Sequence, residues 1–149
     1  MSDWYAHVTV ATVVERDGQF LLVEEQGSNG LVLNQPAGHL DPNESLVDAA
    51  RRETLEETGW EVEILGLVGL GLYTAPNNGV TYHRTTFYAR PLSHDPGRDL
   101  DTGIERIVWM DLEEMRRESG RMRSPMVLSA VERYLQGTRT PLDFIYQQQ

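Results

Sequence analysis

The order of strand-like and helix-like segments predicts an α/β sandwich with a mixed β-sheet. Two observations carry this. Strand-like runs come early and late with helical runs between them, as in a sheet with helices on its faces. Several of these runs, such as Val8–Val14, are apolar on both faces, as expected for strands covered on both sides.

The elements follow in order. His7–Glu15 is rich in Val and Thr and reads as a strand; Asp17–Gly18 is a turn, and Gln19–Glu25 returns as the second strand of a hairpin. Gly27–Gly30 is a loop, Leu31–Gln35 a short strand ended by Pro36, and Gly38–Glu44 a loop. Ser45–Thr58 reads as a helix, with a capping-box-like start at Ser45 and Asp48 and a stop at Gly59. Trp60–Tyr73 and Val80–Arg90 are strands around an Ala75–Gly79 turn. Pro91–Gly103 is polar and turn-rich, and Ile104–Met110 is another strand. Leu112–Glu118 and Pro125–Gln136 read as helices, the second capped by Ser124 with Pro125 in its first position. The tail ends in the polar run Gln147–Gln149. No internal repeat or long linker interrupts the chain, so one domain over residues 1–149 is expected.

Composition narrows the function classes. The 149 residues carry a formal net charge of −10, which disfavours generic binding to nucleic-acid phosphates. All 13 basic residues are arginine, so a phosphate-loop lysine and a Schiff-base lysine are excluded, and arginine is left for cationic binding. There is no cysteine, which excludes thiol chemistry and is compatible with the cytosol. No run approaches the roughly 18 apolar residues of a membrane helix. The segment MSDWYAHVTV lacks the pattern of a signal peptide, so a cytoplasmic location is expected.

The chemistry concentrates in GHLDPNESLVDAARRETLEETGW, which starts at Gly38. At about 100° per residue, Glu53, Glu56 and Glu57 fall within roughly 100° of arc on one helix face. Taken alone, such a trio is most often a solvated acidic face. Crowded carboxylates repel, however, and a hard divalent cation such as Mg²⁺ or Mn²⁺ reverses that penalty. The spacing decides between these readings. Gly38, five residues, Glu44, seven residues, Arg52–Glu53, then Glu56–Glu57 and Gly59 reproduce the Nudix box, and seven fixed positions match by chance well below roughly one time in 100,000. On these residues the chain resembles the Nudix hydrolases. It departs at Thr54, where the family has an aliphatic residue; Trp60 fills the closing apolar position.

The resemblance implies a Nudix-like α/β/α sandwich and a reaction in which metal-activated water splits a phosphoanhydride bond. Glu53, Glu56 and Glu57 match the metal-ligand positions, the carbonyl of Gly38 adds a ligand, and Arg52 matches the residue that orients the glutamates. Glu44 is either a helix-start residue or a direct participant. The segments NQPAGHLD (Asn34–Asp41), RSP (Arg123–Pro125) and TPLDFI (Thr140–Ile145) are similar to the NudJ-type phosphatases of the family. That similarity implies small substrates: hydroxymethylpyrimidine diphosphate, thiamin diphosphate, and nucleoside di- and triphosphates. The family often dimerises, so a monomer or homodimer is expected, and the acidic charge and the lack of a long apolar run point to no stable nucleic-acid or membrane partner. The same box also serves nucleotide-pool sanitising and ADP-ribose hydrolases, and an inactive Nudix-fold binding module would keep the fold alone.

Other residues are weighed individually. Glu57 is the first candidate for the general base and Glu105 the second; the alternative for Glu105 is an exposed strand-end charge. His39 follows the box glycine and either touches phosphate or is an ordinary loop histidine. Arg84 alternates with Tyr82 along a strand, where it could hold phosphate while the tyrosine stacks on a ring; the alternative is a surface arginine. Tyr73 and Trp4 are further candidate ring-stackers, or core and rim residues.

Overall fold

A computed structural model describes residues 3–148. Met1, Ser2 and Gln149 lie outside the described residues, and with them the first two positions of the MSDWYAHVTV segment and the last of the polar tail.

Strands β1 (His7–Arg16) and β2 (Gln19–Gly27) form the expected hairpin, and Asp17 and Gly18 both take positive φ in its turn. β3 (Gly30–Asn34) and β7 (Ile104–Met110) flank β2 antiparallel. β1 lies between β4 (Ala37–His39), antiparallel to it, and β6 (Thr81–His94), parallel to it. β6 then pairs with β5 (Trp60–Thr74), which carries the short β8 (Thr140–Pro141). The sheet is therefore mixed, as the sequence predicts.

Helix α1 (Leu46–Thr58) covers one face, and α2 (Leu112–Arg117) with α3 (Pro125–Leu135) covers the other. Alternation along the strands sorts the core. Val10, Val14, Leu21, Phe87 and Ala89 pack with Ala49 and Ala50 of α1; Val13, Phe20 and Leu22 pack with Met115, Val127 and Val131. The covering is incomplete, since Val8 at the start of β1 is exposed while Thr9–Val14 is buried.

Some boundaries differ from expectation, each for a physical reason. The loop expected from Gly38 contains β4, because Ala37–His39 finds the free edge of β1 in register Ala11↔Ala37, Val10↔Gly38 and Thr9↔His39. β6 continues through Pro91 to His94. Leu142 and Ile145, beyond β8, join the α1-side core, which explains why the TPLDFI segment is apolar. Ser45 caps α1 by accepting from Asp48 N, but the full reciprocal capping box occurs at Asp111 and Glu114 instead. Thr54 is fully buried and donates its hydroxyl to Ala50 O at 2.8 Å, so the polar atom is satisfied within the helix. No helix among the described residues is long and apolar enough to cross a membrane.

Candidate active site

Four strands and one helix build the site. Strand pairing aligns His39, Thr9, Arg84 and Gly71 side by side across β4, β1, β6 and β5. Gly38 sits next to this row, opposite α1. A side chain at Gly38 would collide with the Glu53 carboxylate, so only glycine lets β4 and the acidic helix face approach this closely.

Glu53 and Glu56 meet a third carboxylate, Asp101, and one oxygen of each lies within 4.8 Å of the others. Asp101 comes from the loop before β7. Two backbone bonds tie that loop to the end of α1: Asp95 N donates to Gly59 O at 2.9 Å, and Asp101 N donates to Glu56 O at 3.1 Å. Gly59 takes φ 75° as the helix cap, and a Cβ there would crowd Asp95 O at 2.8 Å, so the glycine that ends α1 also seats the loop.

Arg52 organises the box. Its Nε and Nη2 bind both oxygens of Glu44 at 2.7 and 3.0 Å, its Nη1 reaches Glu53 at 2.7 Å and Glu56 at 3.4 Å, and its Nη2 also donates to His39 O. The expected Arg52–Glu56 pair is thus present, but Glu44 is the stronger partner. Arg52 holds the Glu44 carboxyl below its usual range. Glu44 also accepts from Asp41 N, so it braces the arginine from the start of α1.

Glu57 is set apart from this trio. It is only 9% exposed and accepts from Ala37 N at 2.9 Å. Burial pushes its carboxyl up to about 9, and the negative charges of Glu25, Glu53 and Asp101 add to the shift. Burial likewise raises Glu53, against the pull of Arg52. Two of these glutamates therefore carry the penalty that a nearby cation removes. Hard oxygen donors, a glycine-lined approach and an excess of carboxylate fit a divalent metal ion.

Beside Gly38 opens a cavity of about 430 Å³. His39, Tyr82 and Arg84 all line it, as does Tyr73. Arg84 is not the surface arginine that was the alternative for it: it is 7% exposed, and its Nη2 donates to Asn34 Oδ1 at 2.9 Å and Gln35 Oε1 at 3.2 Å. A phosphate fork through Nη2 would have to displace one of those partners. His39 Nε2 lies 3.0 Å from His7 Nδ1, and burial, then the charge of His7, lowers its pKa. Trp4 is 75% exposed and is not part of the cavity wall.

Glu105 is exposed and accepts from Gln26 Nε2 at 3.0 Å, so it is not gathered with Glu53 and Glu56. The acid from this part of the chain is Asp101. Sequence reasoning missed it because it is one of three aspartates, Asp95, Asp99 and Asp101, in a loop without periodicity. Glu25 was missed as well: it lines the cavity and accepts from Asn34 and Arg123.

With this geometry in place, the comparisons with known proteins agree. The model of the NUDIX domain matches residues 5–130. The chain is 37% identical over 139 residues to phosphatase NudJ of Escherichia coli strain K12, covering 93% of this chain and 90% of that protein. A NUDIX hydrolase from Nitrosomonas europaea superposes with a TM-score of 0.93 at 44% identity, covering 97% of this chain and 98% of the other. A MutT NUDIX hydrolase from Burkholderia pseudomallei, 22% identical, shares the fold with a TM-score of 0.75 over 87% of this chain and 98% of its own. The chain belongs to the Nudix hydrolase family, whose members generally depend on divalent metal ions.

Proposed function

We propose that this Nudix hydrolase, acting as a single domain, splits a phosphoanhydride bond in a small diphosphate with the help of Mg²⁺, for which Mn²⁺ can substitute. The observation that carries the reading is the convergence of Glu53, Glu56 and Asp101, with Glu53 against Gly38, a residue that also lines a cavity sized for a small molecule. The substrates that fit are those of the NudJ-type phosphatases: hydroxymethylpyrimidine diphosphate, thiamin diphosphate, and nucleoside di- and triphosphates.

In this reading Glu53, Glu56, Glu57, Asp101 and the Gly38 carbonyl hold the metal. When bound, the ion supplies charge neutralisation for the diphosphate oxygens and eases deprotonation of water. The remaining work falls to the chain. Arg52 fixes the rotamers of Glu44, Glu53 and Glu56, so the carboxylates need little reorganisation. Glu57 Oε1 is held by Ala37 N, which leaves Oε2 as the oxygen that serves the metal and that accepts the proton of the attacking water if Glu57 is the base. Arg84, Tyr82 and His39 hold the organic part of the substrate in the cavity. The anhydride leaving group is already a weak base and needs little acid assistance.

The test is product identification from a panel containing hydroxymethylpyrimidine diphosphate, thiamin diphosphate, nucleoside triphosphates, ADP-ribose and 5′-triphosphate RNA, each with Mg²⁺. Higher kcat/KM on the small diphosphates is expected, because net charge −10 repels long polyanions. Faster turnover of the RNA at physiological salt would reject the reading.

A further inference from the structure

The NQ pair that precedes Gly38 lies outside the metal chemistry, and the structure gives it a task. Asn34 Oδ1 and Gln35 Oε1 both accept from Arg84 Nη2, so both hydrogens of that nitrogen are engaged. Gln35 is itself locked, because its Nε2 donates to Val127 O at 2.7 Å; Asn34 is locked by donating to Glu25 Oε1 at 3.3 Å. The clamp leaves Nη1 buried with no partner. Of the three buried side-chain polar atoms without a partner among the described residues, Thr12 Oγ1, Trp60 Nε1 and Arg84 Nη1, only the last belongs to a residue of the cavity wall.

A buried guanidinium hydrogen without an acceptor is costly, and native structures rarely keep one unless a ligand completes it. Resting on the function proposed above, we propose that Arg84 Nη1 is a specificity determinant that selects diphosphates whose organic part carries a neutral hydrogen-bond acceptor, oxygen or nitrogen, on a planar ring. A neutral ring acceptor suits the surroundings better than a second phosphate. Burial lowers the pKa of Arg84 to about 10, and Glu25, which lines the same cavity, only partly opposes this, so the geometric lack at Nη1 is an acceptor. A dianion would also meet the carboxylate of Glu25, whose partner Arg123 on the same wall is already engaged with it. Tyr73 and Tyr82 on the walls offer aromatic surface for a flat ring, and Asn78 Nδ2 donates to the Tyr82 hydroxyl at 3.3 Å, which steadies that tyrosine.

The experiment is calorimetric titration, in Mg²⁺ buffer, of uridine monophosphate, isopentenyl monophosphate and inorganic phosphate into the wild type, Arg84→Gln and Asn34→Ala. The first ligand has ring oxygens, the second an apolar organic part, and the third no organic part. The wild type is expected to bind uridine monophosphate about ten- to a hundredfold more tightly than the other two, the range for a hydrogen bond to a charged donor. Arg84→Gln should bring the three within about threefold, and Asn34→Ala should narrow the gap part of the way. If Arg84→Gln fails to fold, Asn34→Ala alone carries the comparison. Equal wild-type affinities, phosphate as tight as the nucleotide, or a preference unchanged in whichever variants fold would each overturn the inference. Hydrolysis of uridine diphosphate measured in parallel separates the two claims. Absent turnover with the preference intact rejects the reaction and leaves the role of Arg84 standing.

Discussion

Two regions of this molecule bring arginine and glutamate together, and they differ in their charge balance. On β2, the side chain of Glu24 is 8% exposed and pairs with both Arg106, at 3.1 Å, and Arg121. Their hydrogen bonds hold its carboxyl below the usual range. Around α1, Asp41 and Glu44 from the preceding loop share Arg52 with Glu53 and Glu56 of the helix, while Glu57 and Asp101 press against the group without an arginine contact of their own among the described residues. In the first cluster Arg121 also pairs with Glu118 at 3.3 Å, so two arginines match two glutamates and the group is complete in itself. The second has more carboxylates than cations and needs something further. An acidic cluster thus points to a metal by its uncompensated burial, seen in the raised carboxyls of Glu53 and Glu57, and not by its acid content alone.

The sharpest way to separate the regions is to neutralise one carboxylate in each. Glu57→Gln keeps an oxygen for Ala37 N but loses the charge, and kcat should fall by about 10²–10⁴. Its thermal midpoint without metal should hold or rise, because a penalised buried carboxylate has gone. Glu105→Gln, measured alongside, should stay within about threefold of wild type, since Glu105 faces Gln26. A near-normal Glu57→Gln together with a dead Glu105→Gln would move the base to Glu105.

Glu24→Gln should behave in the opposite way. Its kcat per folded molecule should stay within about twofold of wild type, while stability drops by about 1–2 kcal/mol, a modest figure because both arginines are partly solvated. Denaturant melts and steady-state kinetics on the same sample check both halves. A large loss of kcat with stability unchanged would erase the contrast.

The regions should also respond to pH with opposite signs. The raised Glu57 keeps its proton in the folded state long after the unfolded chain has lost it. Metal-free stability should therefore decline as pH climbs from about 4.5 to about 9, by at most about 1.4 kcal/mol per pH unit. Mg²⁺ should flatten this slope by favouring the charged form, and Glu57→Gln should largely remove it. The lowered Glu24 adds stability above its unfolded pKa that disappears as pH falls through its folded value. Urea denaturation in chelator from pH 4 to 9, on wild type and both variants, separates the two slopes.

These contrasts were unevenly legible in the sequence. The helix with Glu53, Glu56 and Glu57, its Ser45 cap and its Gly59 stop could be read directly, because period and end signals are local. Gly38 and Arg52 followed from the box spacing. β4 and β8 could not be read, since three- and two-residue strands exist only through the edges they pair with. Asp101 and Glu25 were hidden for the same kind of reason. One sits in an aperiodic loop, held by bonds to Gly59 and Glu56; the other lies within a strand that reads simply as sheet. Arg84 and Tyr82 were visible as an alternating pair, but the burial of Arg84 depends on Asn34 and Gln35, about fifty residues earlier.

The central claim is that the carboxylate excess on α1 is a working cation site. The most direct measurement is hydrolysis of a small diphosphate after exhaustive chelation, followed by titration of free Mg²⁺. Turnover should be absent in the chelated protein, return saturably as Mg²⁺ is added, and be accompanied by a rise in thermal midpoint that follows the same titration. Full turnover in the chelated protein, with no response to added Mg²⁺, would contradict the account.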